Sequence, residues 1–147
     1  MKLHVDLVAS VPKDLERSEQ NEDVWAMSET LTRFALSDGA SESYDSRAWA
    51  PLLVKKYVAD PRLLPAWIDE AVADYAQRID FKALPWSQQA PYKRGRFITL
   101  LGLQQLAESG RAVEVFAIGD SLACHVCPLK EDFAHQHATA TGRVFRF

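Results

Sequence analysis

Phe34-Ala35-Leu36-Ser37-Asp38-Gly39-Ala40 is the stretch on which the fold reading turns. Residues 31–36 are short, apolar and partly β-branched, which predicts a strand that runs straight into Ser37-Asp38-Gly39. Gly39 permits a sharp backbone turn at that strand end. A carboxylate beside it, at Asp38, then stands where backbone oxygens are also presented. Upstream, residues 24–27 read as another short strand, immediately after the acidic pair Glu22-Asp23. Further back, Leu3, Val5 and Leu7 alternate with His4 and Asp6, and Val8 and Val11 follow. This period of two predicts an N-terminal strand. Residues 12–21 are polar and charged and read as a loop.

Downstream of Gly39 the period changes. Ser43 or Asp45 can cap a helix reaching about Ala59, with Trp49, Leu52, Leu53, Tyr57 and Val58 on its apolar face. Pro51 predicts a kink or a late helix start, since it lacks a backbone donor. Asp60-Pro61 ends that pattern. A second helix is expected over residues 62–79, its apolar face carrying Leu64, Ile68, Ala71, Val72, Tyr75 and Ile79. Residues 81–91 contain Pro85, Trp86 and Pro91 and read as irregular. Residues 96–106 fit a buried strand or a helical turn, and periodicity leaves both open. Residues 108–111 read as a turn and 112–118 as a strand. Gly119-Asp120-Ser121 then makes a tight turn into a returning strand over 122–127. Strands in runs with helices inserted together predict an α+β fold.

Bulk properties narrow the class. The chain has 147 residues, enough for one domain with a core, and its formal net charge of -3 argues against a nucleic-acid partner. No apolar run approaches the roughly 20 residues of a membrane helix. Asp6 interrupts the apolar N-terminus, making it a poor signal peptide. Two cysteines, Cys124 and Cys127, are too few for the disulfide framework of a secreted domain. A cytoplasmic location is expected.

Three acidic positions stand at expected strand starts or ends: Glu22-Asp23, Asp38 and Asp120. Mg²⁺ and Mn²⁺ favour carboxylate, carbonyl and water oxygens, so such carboxylates can hold one if they converge. Taken singly, Asp-Gly and Gly-Asp are ordinary turn dipeptides, and an acidic pair is an ordinary solvated loop.

Their order changes the reading. Asn21-Glu22-Asp23, then Phe34 to Ala40, then Val115-Phe116-Ala117-Ile118-Gly119-Asp120-Ser121, occur in sequence. Together they resemble the protein phosphatase 2C family of metal-dependent serine/threonine phosphatases, over roughly residues 3–128. The resemblance implies a layered sandwich of antiparallel sheets with flanking helices. It also implies hydrolysis of phosphoserine or phosphothreonine in proteins by metal-activated water. Asp38 would bridge two Mg²⁺ or Mn²⁺ ions, and the Gly39 carbonyl would ligate one. Glu22 and Asp23 would hold metal-bound waters or support the ligands, giving Asp38, Glu22 and Asp23 as the catalytic set. Asp120 would help to bind a weaker third metal. Arg17 is the nearest candidate for the phosphate-binding arginine, although its register is off.

The sequence departs from that pattern in several places. Ala40-Ser41-Glu42 replaces the usual glycine-rich stretch after Asp-Gly, and Leu122 stands where arginine usually follows Gly-Asp-Ser. Family domains are considerably longer than 147 residues, and their later half donates further aspartates. After Asp120 only Glu131 and Asp132 are acidic. The expectation is therefore a partial phosphatase 2C-like domain over residues 1–129, followed by a polar tail over 130–147. It is a metal-dependent phosphatase or, alternatively, a non-catalytic binding or regulatory module or fragment with an incomplete metal centre. A phosphorylated protein is the expected partner, together with a second copy or another chain that completes the site.

Other features have plainer readings. Cys124-His125-Val126-Cys127, with His135 and His137, suggests zinc, but buried cysteines on a core strand are favoured. Tyr92-Lys93-Arg94-Gly95-Arg96 can meet a phosphorylated ligand, although a solvated basic turn is commoner. In relatives of this architecture a similar Arg-Gly segment precedes a core strand, which favours a strand over residues 97–103. The four tryptophans read as core or interface anchors. Asp45 with Ser41 or Ser43 hints at a serine hydrolase, without a histidine in a recognisable arrangement.

Overall fold

The computed structural model describes residues 4–12, 14–39, 44–95, 97–106, 112–124 and 143–146, with 18–20 and 143–146 as backbone only. Its centre is an antiparallel sheet of five strands in sequence order: β1 (Val24–Met27), β2 (Arg33–Ser37), β3 (Leu100–Gln105), β4 (Val113–Ile118) and β5 (Arg143–Arg146). Three helices, α1 (Ser46–Ala59), α2 (Pro65–Ala76) and α3 (Trp86–Arg94), lie between β2 and β3 in the chain. The fold is α+β. β5, near the end of the expected polar tail, pairs with β4.

Register explains which face is covered. Ala26, Ala35, Gly102 and Phe116 stand in one row across the sheet, because Ala26 pairs with Ala35, Ala35 with Gly102 and Gly102 with Phe116. Small side chains in the middle of that row let α1 approach closely, and α1 packs against β1, β2 and β3. The Tyr57 ring lies on Gly102, so that a methyl group there would overlap it. Trp49, Leu53, Val54 and Tyr57 from α1, Trp67, Ala71 and Tyr75 from α2, and Ala35 and Leu100 from the sheet form the core.

Polar contacts fix the helices. The Arg33 guanidinium donates from Nη1 to the carbonyls of Val58 (3.1 Å) and Ala59 (2.8 Å), the orphan acceptors at the C-terminus of α1. The Asp60 carbonyl accepts from Trp67 Nε1 at 2.8 Å, and the Tyr75 hydroxyl donates to Asp45 Oδ2 at 2.7 Å. These two bonds tie α2 to both ends of α1. Lys56 and Glu70 add an ion pair at 2.9 Å.

Several expectations are corrected. Residues 4–12 form no strand, and Leu7 and Val11 are exposed: alternation supplies a face but no neighbouring strand to pair with. Leu15–Gln20 forms 3-10 turns broken at Arg17 instead of a plain loop. Asp45 stands at the cap position of α1, but its side chain makes no cap bond and is held by Tyr75. α1 runs from Ser46 through Pro51 with no late start. α2 buries Trp67, Ala71 and Tyr75, leaving Leu64, Ile68 and Val72 exposed. Trp86–Arg94 is helical, with Pro85 at its cap. Residues 121–124 are not in a strand, and Cys124 is exposed, so the buried-cysteine reading fails there. Cys127, His135 and His137, and the 108–111 turn, lie outside the described residues. The open choice over 96–106 resolves to a strand, β3. Among the described residues no helix is long and apolar enough to cross a membrane.

Candidate functional site

All three quoted motifs lie at one end of the sheet. Val24, the first residue of β1, pairs with Ser37, the last of β2, so Asn21-Glu22-Asp23 enters beside Asp38. Leu100 at the start of β3 pairs with Ile118 at the end of β4, and this brings in Gly119-Asp120-Ser121. Gly39 forms an isolated antiparallel bridge to Ile98.

Thr99 joins the Asp38 and Gly119 loops. Its backbone N–H donates to the Asp38 carbonyl at 2.9 Å, and its own carbonyl accepts from Ser37 Oγ at 2.6 Å. Its hydroxyl accepts the Asp38 N–H at 3.2 Å and the Ser121 Oγ–H at 2.7 Å. Ser37 is fully buried, which keeps its bond to Thr99 away from competing water. Gly119 has a φ of +91°, the left-handed region that suits glycine, and a Cβ on it would stand 2.9 Å from Thr99 Cγ2.

Gly39 is required for a different reason from the expected turn. Its φ is not in the positive range, but a Cβ there would lie 2.8 Å from Ser46 Cβ and 2.9 Å from Glu22 Cβ. The Asp38-Gly39 backbone is thus wedged between the acidic loop and the first turn of α1. Across it, Ser46 Oγ donates to Glu22 Oε1 at 2.6 Å.

Asp23 is held by the N-terminal segment. Its Oδ2 accepts from Ser10 Oγ at 3.0 Å, its N–H donates to Asn21 Oδ1 at 3.1 Å, and Asn21 Nδ2 donates to Ser10 Oγ at 2.6 Å. Asp38 and Asp120 are exposed at the same sheet end. Arg17 is exposed in its 3-10 turn, where Nε faces Asp14 Oδ2 at 3.6 Å.

Oxygen donors of this kind fit a hard divalent cation. Their number is short: among the described residues no group of three or more His, Cys, Asp or Glu side chains is gathered tightly enough to hold a metal ion. Asp38, the Gly39 carbonyl and Asp120 would need further ligands.

Sequence reasoning found the acidic positions and missed Thr99, Ser46 and Ser10, which organise them. The one signal for Thr99 is a hydroxyl residue inside the otherwise apolar run Phe97-Ile98-Thr99-Leu100-Leu101. No protein family, curated protein or solved structure matches the chain.

Proposed function

We propose that this chain is a protein phosphatase 2C-like protein directed at phosphoserine or phosphothreonine in a protein partner, with Asp38 at the centre of a Mg²⁺ or Mn²⁺ site. The observation that carries this reading is the joining of the Asp-Gly and Gly-Asp-Ser loops through Thr99, with the Asn-Glu-Asp loop brought beside Asp38 and Gly39 at the same sheet end. Such an ion, when bound, would acidify water and offset phosphoryl charge. In this reading Asp38 and Asp120, both exposed, would face the ion, and Glu22 and Asp23 would hold its waters or support it from the adjoining loop.

A layered sandwich is the fold this reading needs, and the outer face of the sheet supports it. Trp25, Leu36, Leu101 and Ala117 form one cross-strand row, and Met27, Phe34, Leu103 and Val115 the next. From β1 to β4 both rows are apolar on the face away from α1, with Trp25, Met27 and Leu36 exposed and Val115 and Ala117 buried, while Ala117 pairs on with Arg143 of β5. A sheet that faces water on one side ordinarily alternates apolar and polar residues. Two apolar faces suit a sheet stacked between layers.

A second reading, a phosphate-recognising module without turnover, is favoured by the bonds from Ser46 to Glu22 and from Ser10 to Asp23. Those carboxylates are already engaged by the protein.

The test is Mn²⁺-dependent hydrolysis of an aryl phosphate by the folded chain beside Asp38→Ala. Turnover that the substitution abolishes is expected. Turnover that survives it removes Asp38 from the site. Phosphopeptide binding with no turnover selects the module.

A further inference from the structure

The C-terminal turn of α3 is fastened to the candidate site from two directions. Tyr92 packs edge-on against Tyr44, with ring centroids 5.3 Å apart, and Tyr44 lies six residues beyond Asp38. Tyr92 also meets the Phe81 ring at 5.2 Å, which anchors this turn to the loop before α3. On the other side, Gly95 ends α3 with a φ of +100° and stands four residues before Thr99, the joint of the site.

Two cations ride on this anchored turn. Lys93 and Arg94 are exposed, and neither pairs with a carboxylate among the described residues. Arg17, Lys56 and Arg62 each face one, while Lys55, Arg78 and Lys82 share the unpaired state among the described residues; Lys93 and Arg94 differ in being adjacent on the turn that leads to Thr99. Lys93 Nζ lies 5.5 Å over the Phe81 ring, a cation–π contact that positions the ammonium on this turn without neutralising its charge. In a chain of net charge -3, these form a local cationic rim.

Resting on the phosphatase 2C-like reading, we infer that Lys93 and Arg94 select phosphopeptides carrying acidic residues beside the phosphorylated one. Arg94 is five residues from Thr99, a path of at most ~18 Å of extended chain. An extended peptide at ~3.3 Å per residue covers that span in about five residues. The rim therefore reads flanking side chains, while the phosphate itself belongs at the Asp38 end.

The experiment compares two fluorescent phosphoserine peptides, identical except for three aspartates or three lysines on one flank. Binding is read by anisotropy at low and high salt. The wild-type chain is expected to prefer the acidic peptide by about three- to tenfold, as two exposed charge pairs allow, with the preference shrinking in salt. Lys93→Ala/Arg94→Ala should erase it, and Lys93→Glu/Arg94→Glu should invert it. Equal binding of both peptides, or a preference that survives the charge reversal, overturns the rim alone. Failure of the wild-type chain to bind or hydrolyse either phosphopeptide overturns the phosphatase 2C-like reading and the rim with it.

Discussion

Thr99 carries more of the site than any acidic residue does, because four hydrogen bonds to two other loops pass through its backbone and hydroxyl. Thr99→Val keeps the branched shape and deletes the acceptor for Ser121 and the Asp38 N–H. The expected loss is about 1 kcal/mol, read from urea midpoints, with Thr99→Ser losing less. An unchanged midpoint in the valine variant would show that these bonds contribute nothing net. At this scale the sequence was half legible. Asp38, Gly39 and Asp120 announce themselves by type and spacing. Thr99 and Ser46 do not, because their partners lie 61 and 24 residues away in the chain. Gly39 was rightly singled out for the wrong cause: close packing against Glu22 and Ser46 requires it, not a turn conformation.

Among the elements, α1 meets β3 most closely where the Tyr57 ring lies on Gly102. Gly102→Ala forces a methyl group into that ring and should cost about 1–3 kcal/mol by chemical denaturation. A substitution that costs nothing would mean the helix can lift off the sheet freely. Helical spacing made α1 and α2 readable, short runs bounded by polar residues did so for β1 and β2, and alternation did so for β4. The N-terminal alternation misled because a strand is completed only by its neighbour, and residues 4–12 have none among the described strands. α3 was hidden by Pro85 and Pro91. Pro85 sits outside the helix at its cap, where no donor is needed, and Pro91 is accommodated within it.

For the whole molecule, the core sets a pH limit. Burial, reinforced by the negative charge of Glu114 and opposed by Arg33, pushes the Tyr57 phenol up to about 12. In the unfolded chain it titrates near 10. The folded state therefore holds this proton more tightly. Its contribution to stability is complete below pH 10 and is lost as the pH rises to about 12 and beyond. The melting temperature should fall across that interval, and Tyr57→Phe should flatten part of the fall. Parallel curves for the two proteins would exclude Tyr57 as the cause. The Thr99 joint has a consequence of another kind. Since the Asp38 and Gly119 loops share one threonine, an occupant that displaces either loop must disturb the other. By thermodynamic reciprocity, whatever factor a guest at Asp38 imposes on a guest at Asp120, the second returns to the first.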